Sequence, residues 1–225
     1  MDIDWIVGIF LFLVFVGWGF SYYFAMFSGN EVQFEQTAEL ERQKIMSFVA
    51  VDVYEAPVKY NSSASVSNAV LKAKSVWYSG EKNSTRVLSN ENALPCRLDG
   101  DDLYWQANLA QGFNVFRIRT ASVNTTANCT GTFTITSSNL TVPWALERKE
   151  MASLTKIYEM TNTTYDGFRD AIGTNMNFRF VLEAPSGDIN YGKAIPSGAV
   201  NVYSKKTVMK MFETSESVNI TVAVW

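Results

Sequence analysis

The sequence predicts an α+β protein, in which a long apolar helix at the N-terminus precedes a body made mainly of antiparallel β-strands. Residues 5–27 contain no charged side chain. From Val49 onward, short runs of β-branched and aromatic residues alternate with polar residues between turn-forming clusters, a pattern typical of antiparallel sheets. A stretch rich in helix-forming residues then separates an earlier set of strands from a later set. We therefore expect four regions, at 1–30, 31–48, 49–142 and 143–225.

The apolar run at residues 5–27 is the first predicted element, a membrane-type helix. Its 23 residues would extend about 34 Å as an α-helix, enough to cross the roughly 30 Å hydrocarbon core of a bilayer. Trp5 lies at one end and Tyr22 and Tyr23 near the other, where aromatic rings favour the membrane–water interface. A cleaved signal peptide would carry basic residues before the run, whereas Met1–Asp4 is acidic. We therefore expect the helix to be retained.

Three glycines in this run, Gly8, Gly17 and Gly19, have no side chain that would hold a neighbouring helix away. Small residues favour close helix contacts in lipid, although Gly17 and Gly19 do not have the four-residue spacing of known dimer motifs. We expect residues 5–27 to contact a lipid bilayer, copies of the same helix, or both.

Composition excludes several functions for the remainder of the chain. There is no histidine, which excludes Ser-His-Asp and Cys-His catalysis and histidine-containing zinc sites. A net charge of −3 gives no indication of a nucleic-acid-binding surface. We expect no enzymatic activity, no cofactor and no metal.

Two features indicate that the body lies outside the cell. Seven Asn-x-Ser/Thr sequons are candidate N-glycosylation sites, namely Asn61, Asn83, Asn124, Asn128, Asn139, Asn162 and Asn219. A β protein rich in Ser, Thr and Asn also makes sequons by composition alone. Cys96 and Cys129 are expected to form a disulfide, which an extracellular location permits, with two unpaired buried thiols as the alternative. The expected location is the cell membrane with an extracellular domain, or an extracellular filament.

The segment after the apolar run is predicted to form an amphipathic helical stalk over residues 31–48. Four apolar residues lie near one stripe, as the helical period requires: Phe34, Ala38, Ile45 and Phe48. Ser28-Gly29-Asn30 offers a break before it. The sequence leaves open whether the stalk continues the first helix or kinks away from it.

The region 49–142 is predicted to be an antiparallel sandwich. The first strand begins at Val49, and Pro57 is expected to interrupt it. Further strands are predicted at 69–78, 85–88, 96–98, 103–109, 114–121 and 131–137, with turn clusters between them.

The region 143–225 is predicted to combine helices with a second antiparallel sheet. Residues 144–160 are rich in helix formers. A short helix to Ile172 follows, capped by residues 161–164, with Gly173 at its C′ position. Strands are then predicted at 177–183, 189–191, 199–203, 207–212 and 218–225.

The apolar helix, the β-rich body and a last hairpin that closes on ITVAVW together resemble archaeal type IV pilin-like surface proteins. Residues 5–27 and 199–225 carry this resemblance. It implies a membrane-anchored, glycosylated surface protein that forms part of a filament. Two features depart from the pattern. The basic residues usual in pilin leaders are absent before the run, and Asp2 and Asp4 precede the helix where many pilins place a glutamate early within it.

Two further clusters are candidate binding sites, and each also has a purely structural explanation. The carboxylates at 99–102 offer ligands for Ca²⁺, but an Asp-Gly turn between strands accounts for them. Trp77, Tyr78, Tyr104 and Trp105 offer a sugar-binding platform, but strand alternation favours core packing with a few surface rings.

Four carboxylates, Glu147, Glu150, Asp166 and Asp170, are the candidates for a glycosidase pair. Helices routinely carry such charges toward solvent, and this explanation is preferred to a catalytic pair. The sequence therefore predicts a structural surface protein, a pilin-like subunit or accessory component. The alternative is a bitopic, membrane-anchored adhesin or ligand-binding module, with a glycan or another cell-surface molecule as its partner.

Overall fold

The computed structural model describes residues 3–74, 84–125, 129–133, 139–141 and 145–225, with side chains described there except at 3, 4, 6, 24–31 and 139–141. The predicted α+β class and the predominance of antiparallel strands are confirmed. In the described ranges the helices are α1 (Ile3–Val49), α2 (Leu154–Asn162) and α3 (Tyr165–Ala171). The strands are β1 (Ala50–Ser62), β2 (Val66–Lys74), β3 (Thr85–Ser89), β4 (Asn92–Leu94), β5 (Cys96–Asp99), β6 (Asp102–Leu109), β7 (Gly112–Ala121), β8 (Asn139–Thr141), β9 (Glu147–Ala152), β10 (Phe178–Glu183), β11 (Ile189–Gly192), β12 (Tyr203–Lys210) and β13 (Ser217–Val224).

Helix α1 is a single element of 47 residues that runs through Gly29 without a break. The sequence left open whether the stalk continues the apolar helix or kinks away from it. The structure shows that the stalk continues the helix. Of the predicted stripe, Ala38 and Ile45 are fully buried, and Phe34 and Phe48 are half-buried. Val49, which was predicted to open the first strand, is instead the last residue of the helix and is fully buried. Strand β1 begins at Ala50, the residue that follows the last residue of the helix.

Two sheets, with strand orders β4-β3-β7-β1-β9 and β5-β6-β2-β8, form the predicted sandwich. Their shared core includes Leu103 and Trp105 of β6, Val58 of β1, and Phe116 and Ile118 of β7. The rings of Trp105 and Phe116 meet edge to face, with centroids 5.8 Å apart. Strands β2 and β8 run parallel, and the other pairs described in these two sheets are antiparallel.

Strand β1 runs straight through Pro57, so the expected interruption there is wrong. β7 pairs with β1 through the ten positions Val53–Ser62, whereas β9 pairs only through the six positions Ala50–Glu55. Beyond Glu55, β1 therefore lacks β9 on one side, and an edge of this kind tolerates a proline that donates no hydrogen bond.

The second predicted sheet has the strand order β11-β10-β13-β12 and is wholly antiparallel. Together with α2, α3 and the second half of α1, it encloses a separate core, and we call this unit the C-terminal module. Alternation on β13 directs Val218, Ile220 and Val222 into that core. Phe168 of α3 packs edge to face on Phe48 of α1, with centroids 4.9 Å apart.

The predicted helix over 144–160 is wrong in its first half. Residues 147–152 form β9 instead, and helix α2 starts only after Ser153, whose side chain caps it. Pairing with β1 over six positions and the burial of Met151 stabilise the strand over local helix propensity.

The short helix predicted up to Ile172 is confirmed as α3. Thr164 caps its N-terminus, and Gly173 follows its end in the left-handed conformation, with φ of +65°. The strand expected at 199–203 begins only at its last residue, as β12. Residues 131–133 of the strand expected at 131–137 are not in a strand, and the rest of it lies outside the described residues.

Candidate assembly helix and its support

The first half of α1 presents an apolar surface that the described residues leave uncovered. Nine large side chains from 5 to 22 are between 60% and 72% exposed: Trp5, Phe10, Leu11, Phe12, Leu13, Phe15, Trp18, Phe20 and Tyr22. We call residues 5–23 the assembly helix. In the part of the chain that the structure describes, no helix combines the length and the hydropathy needed to cross a membrane.

Apolar exposure extends around the whole circumference of the assembly helix. Residues 9–15 are apolar and exposed without interruption, and seven consecutive helical residues cover almost two turns. Gly8 and Gly19 are eleven residues apart, about three turns, so they share one face, and Gly17 lies on the opposite face. No described atom would lie within 4 Å of a Cβ built on any of these glycines. Both faces are therefore open to a close neighbour.

The second half of α1 is fixed to the C-terminal module by polar contacts as well as by its apolar stripe. The Glu39 carboxylate accepts hydrogen bonds from Arg42 at 2.7 and 2.8 Å and from the Tyr203 hydroxyl of β12 at 2.7 Å. The hydrogen bonds from Arg42 are the largest cause that holds the pKa of Glu39 well below its usual range. Lys44 donates to the carbonyl of Gly173 at 2.8 Å. The helix is therefore tied both to β12 and to the end of α3.

A small apolar cluster joins the C-terminal module to the sandwich, and we call it the seam. Phe212, in the turn between β12 and β13, is fully buried against Val51 and Val53 of β1, Ala121 of β7 and Met151 of β9. The Phe212 amide also donates to the carbonyl of Ala152, the last residue of β9, at 2.8 Å. Burial of one phenylalanine in this way stabilises the contact by about 2–3 kcal/mol.

A buried charge network borders the seam. Arg119, only 1% exposed, donates to Glu55 on β1, to Glu91 at 3.0 Å and to the Ser215 hydroxyl at 2.9 Å. Lys149 lies 2.9 Å from the second oxygen of Glu55. Burial by itself would raise the pKa of Glu55, but the hydrogen bonds and charges of Arg119 and Lys149 outweigh it and lower that pKa.

The β12–β13 turn also caps helix α2. The Glu213 carboxylate accepts from the backbone amides of Leu154 and Thr155 at 2.8 and 3.1 Å, and from the Ser153 hydroxyl at 2.7 Å. A carboxylate at this position satisfies the free amides of the first turn and complements the helix dipole. Arg86 of β3 donates to two carbonyls of the same turn. One turn thus holds the sandwich, α2 and the C-terminal sheet together.

The predicted disulfide between Cys96 and Cys129 is confirmed, and both cysteines are buried. It closes a loop with a sequence separation of 33. Next to it, the Gly131 amide donates to the Cys96 carbonyl at 2.7 Å, and a Cβ on Gly131 would lie 2.9 Å from that oxygen. This close approach requires glycine.

No family model matches the chain, and no curated protein and no solved structure is significantly similar to it. Its function is therefore inferred from its own residues.

The sequons occupy different environments. Asn61, Asn124 and Asn162 are exposed, and Asn219 is half-buried on β13. Asn139 lies in β8, and its side chain is among those not described. Asn83 and Asn128 lie outside the described residues.

The aromatic platform considered from the sequence does not form around Trp105. That ring is fully buried in the sandwich core, which confirms core packing for it, and Tyr104 on the same strand is half-buried. Trp77 and Tyr78 lie outside the described residues. A sugar-binding surface that includes Trp105 is therefore excluded.

The acidic candidates lie apart or have structural roles. The carboxylates at 99–102 belong to the β5–β6 turn, where Gly100 has φ of +60°. No group of three acidic or cysteine side chains among the described residues has metal-binding geometry. Glu147 and Glu150 lie on β9, whereas Asp166 and Asp170 lie on α3.

Sequence reasoning missed the charge network and the α2 cap. Glu55, Glu91 and Arg119 are far apart in the chain, and only the fold brings them together. One local signal for the charge network was present in the sequence. Glu55 continues the alternation of Val51 and Val53, which places it on the buried face of β1. A charged residue at such a position indicates a buried partner.

Proposed function

We propose that this protein is a structural subunit of a cell-surface assembly, resembling archaeal type IV pilin-like proteins, in which the assembly helix packs against the same helix of other copies. The sandwich and C-terminal module would lie outside the cell. The observation that carries the proposal is the unbroken apolar exposure of residues 9–15 around the helix. No catalytic role is included.

The distribution of the apolar residues favours several like neighbours over a single partner. A helix that docks into one groove needs one apolar face, whereas a helix that is apolar all round is covered only when surrounded. Copies of the same helix meet this requirement by symmetry, and Gly8 and Gly19 on one face, with Gly17 opposite, permit close contacts on two sides.

The free energy gained by covering the exposed apolar side chains of the assembly helix is sufficient for helices to associate. Covering the exposed part of one large apolar side chain contributes about 1–2 kcal/mol, so the nine most exposed ones supply about 9–18 kcal/mol. The loss of translational and rotational freedom opposes this by about 4–15 kcal/mol. Contacts with more than one neighbour are therefore required for a stable assembly, which agrees with the surrounded helix proposed above.

The rigid support of the helix favours a subunit over a mobile tether. The second half of α1, which continues the assembly helix, is hydrogen-bonded to β12 and to the end of α3. Strand β1 begins at the residue after α1. In such a subunit the position of the assembly helix fixes the position of the body, which regular assembly requires.

Cysteine cross-linking tests the proposal in the native membrane or filament fraction. Both native cysteines are in a disulfide, so an introduced cysteine supplies the free thiol. We expect Leu13→Cys to form covalent dimers under mild oxidation. The matched control is Val200→Cys, at a position that is 93% exposed on the body, and we expect it to stay monomeric.

The outcome separates the proposal from its alternative. Dimers from Leu13→Cys, together with recovery of the chain in filaments sheared from cells, support assembly through the helix. A Leu13→Cys variant that stays monomeric and is recovered only in detergent-extracted membranes would overturn assembly and favour the bitopic adhesin. Mass spectrometry of the mature N-terminus adds an independent measurement, because cleavage just before the apolar run favours assembly.

A further inference from the structure

Large apolar side chains that are at least half exposed are few on the described part of the body. Outside α1 they are Phe113, Val115, Tyr158, Val200 and Val208. Isolated exposed apolar residues are normal on soluble proteins, so their number indicates no function. Their positions are informative, because three of these residues lie directly beside a sequon.

The first pair is on the outer face of the sandwich. Asn61 of β1 lies directly across from Phe113 of β7, and Lys59 lies across from Val115. Directly opposed residues in an antiparallel pair have Cβ atoms about 5 Å apart. Asn61 is exposed, the Phe113 ring is 66% exposed, and Val115 is 54% exposed on the same face. The Lys59 ammonium lies over one face of the Phe113 ring, 3.8 Å from its centroid. The sequon thus borders two exposed apolar side chains with this ammonium between them.

The other two pairs repeat this arrangement on different elements. Asn219 of β13 lies directly across from Val208 of β12, which is 69% exposed. Asn162 lies one helical turn after Tyr158, which is 50% exposed, on α2. Residues four apart in a helix are surface neighbours. We call Asn61, Asn162 and Asn219 the apolar-flanked sequons.

We propose that the apolar-flanked sequons carry N-linked glycans, and that the first sugar of each lies over the apolar side chain beside it. This inference rests on the extracellular location in the proposed function but not on assembly. The sugar donor would be a polyprenyl phosphate-linked oligosaccharide. The asparagine Nδ2 forms a bond to the anomeric carbon and loses one proton, and the carbon–oxygen bond to the donor phosphate breaks, so that the phosphate leaves with the electron pair.

Covering the apolar side chains gives these glycans a physical role. A pyranose ring has a face of C–H groups that packs on an aromatic or aliphatic side chain and removes it from water. At Asn219 the amide donates to Glu183 at 3.4 Å, and a glycosylated amide keeps one N–H for this contact. Asn124 is exposed too, but the described residues place no half-exposed large apolar side chain beside it in a ladder or helix.

Glycopeptide mass spectrometry of the chain purified from its native cells tests occupancy. We expect glycans at all three apolar-flanked sequons. Occupancy at Asn124 with none at those three would overturn the inference and leave the extracellular location supported. Absence of glycan from every sequon would overturn the inference and also count against the extracellular location, whereas the cross-linking result for the assembly helix would stand independently.

A stability cycle tests packing at the Asn61–Phe113 pair. In the glycosylated full chain in detergent, we expect Asn61→Gln and Phe113→Ala each to lower the Tm by about 2–4 °C, and the double variant to fall no further than either single variant. Asn124→Gln is the matched control and should leave the Tm unchanged. Additive effects of Asn61→Gln and Phe113→Ala would overturn the packing, because independent groups do not share one contact.

Discussion

The buried pair of Glu55 and Arg119 allows a quantitative prediction about the junction of the two units. Arg119 is 1% exposed, and Glu55 supplies its most buried charge partner. In Glu55→Gln the guanidinium keeps the neutral Ser215 hydroxyl and one carboxylate described above, that of Glu91, whose side chain is 36% exposed and therefore partly screened. Loss of one partner of a buried pair costs about 3–5 kcal/mol. Because Glu91 remains, we expect the free energy of unfolding to fall by about 3 kcal/mol.

The comparison with a fully apolar replacement makes this prediction specific. In the double variant Glu55→Leu, Arg119→Met, no charge is left buried without its partner, and such replacements are often nearly neutral. We expect the double variant to be more stable than Glu55→Gln. Asp52→Asn, which breaks the exposed contact with Arg148, is the matched control and should leave stability unchanged.

The pH dependence adds an independent measurement. Since the folded pKa of Glu55 lies below its unfolded value of about 4.3, its contribution to stability is complete above that value. The contribution is lost as the pH falls through the folded pKa. Guanidinium unfolding of the full chain in detergent, followed by tryptophan fluorescence, should therefore show a smaller loss of stability below about pH 4 in Glu55→Gln than in the wild type. Equal stability of Glu55→Gln and Asp52→Asn, or identical pH profiles of the variant and wild type, would refute the reasoning.

Three further predictions concern single features of the fold. Glu213→Ala should remove the carboxylate that caps Leu154 and Thr155, while Ser153 still caps α2, and should lower the free energy of unfolding by about 1–2 kcal/mol. Amide exchange at Leu154 and Thr155 should become faster, and unchanged exchange would contradict the role of Glu213. Replacing both cysteines with serine should cost about 3–4 kcal/mol in denaturant unfolding, and equal stability with and without reductant would contradict this. Trp105→Ala should cost about 3–5 kcal/mol through the cavity it leaves, whereas a fully stable variant would contradict its burial in the core.

Local patterns in the sequence were sufficient for the parts of the fold that local interactions determine. Helix α3 follows from Thr164 as its cap and Gly173 as its end, both within a few residues. Strand β13 follows from the alternation of its apolar residues. The stripe that includes Ala38 and Ile45 predicted the buried face of α1, and the even cysteine count predicted the disulfide.

The errors arose where distant residues decide the structure. Residues 147–152 favour a helix by propensity, but pairing with β1 and the burial of Met151 stabilise a strand there. Pro57 is tolerated in β1 because β9 pairs with β1 only up to Glu55. The candidate assembly helix was recognisable from composition. Its support was not, because the contact between Glu39 and Tyr203 joins residues 164 positions apart.

The direct passage from α1 into β1 has a mechanical consequence. No residue separates the end of the helix at Val49 from the start of the strand at Ala50, so traction on the helix would act directly on β1. β1 is an inner strand held by ten paired positions with β7 and six with β9. A lengthwise pull must break many of these hydrogen bonds at once, whereas a sideways pull would open them one after another. The resistance of β1 to traction would therefore depend on the direction of the pull.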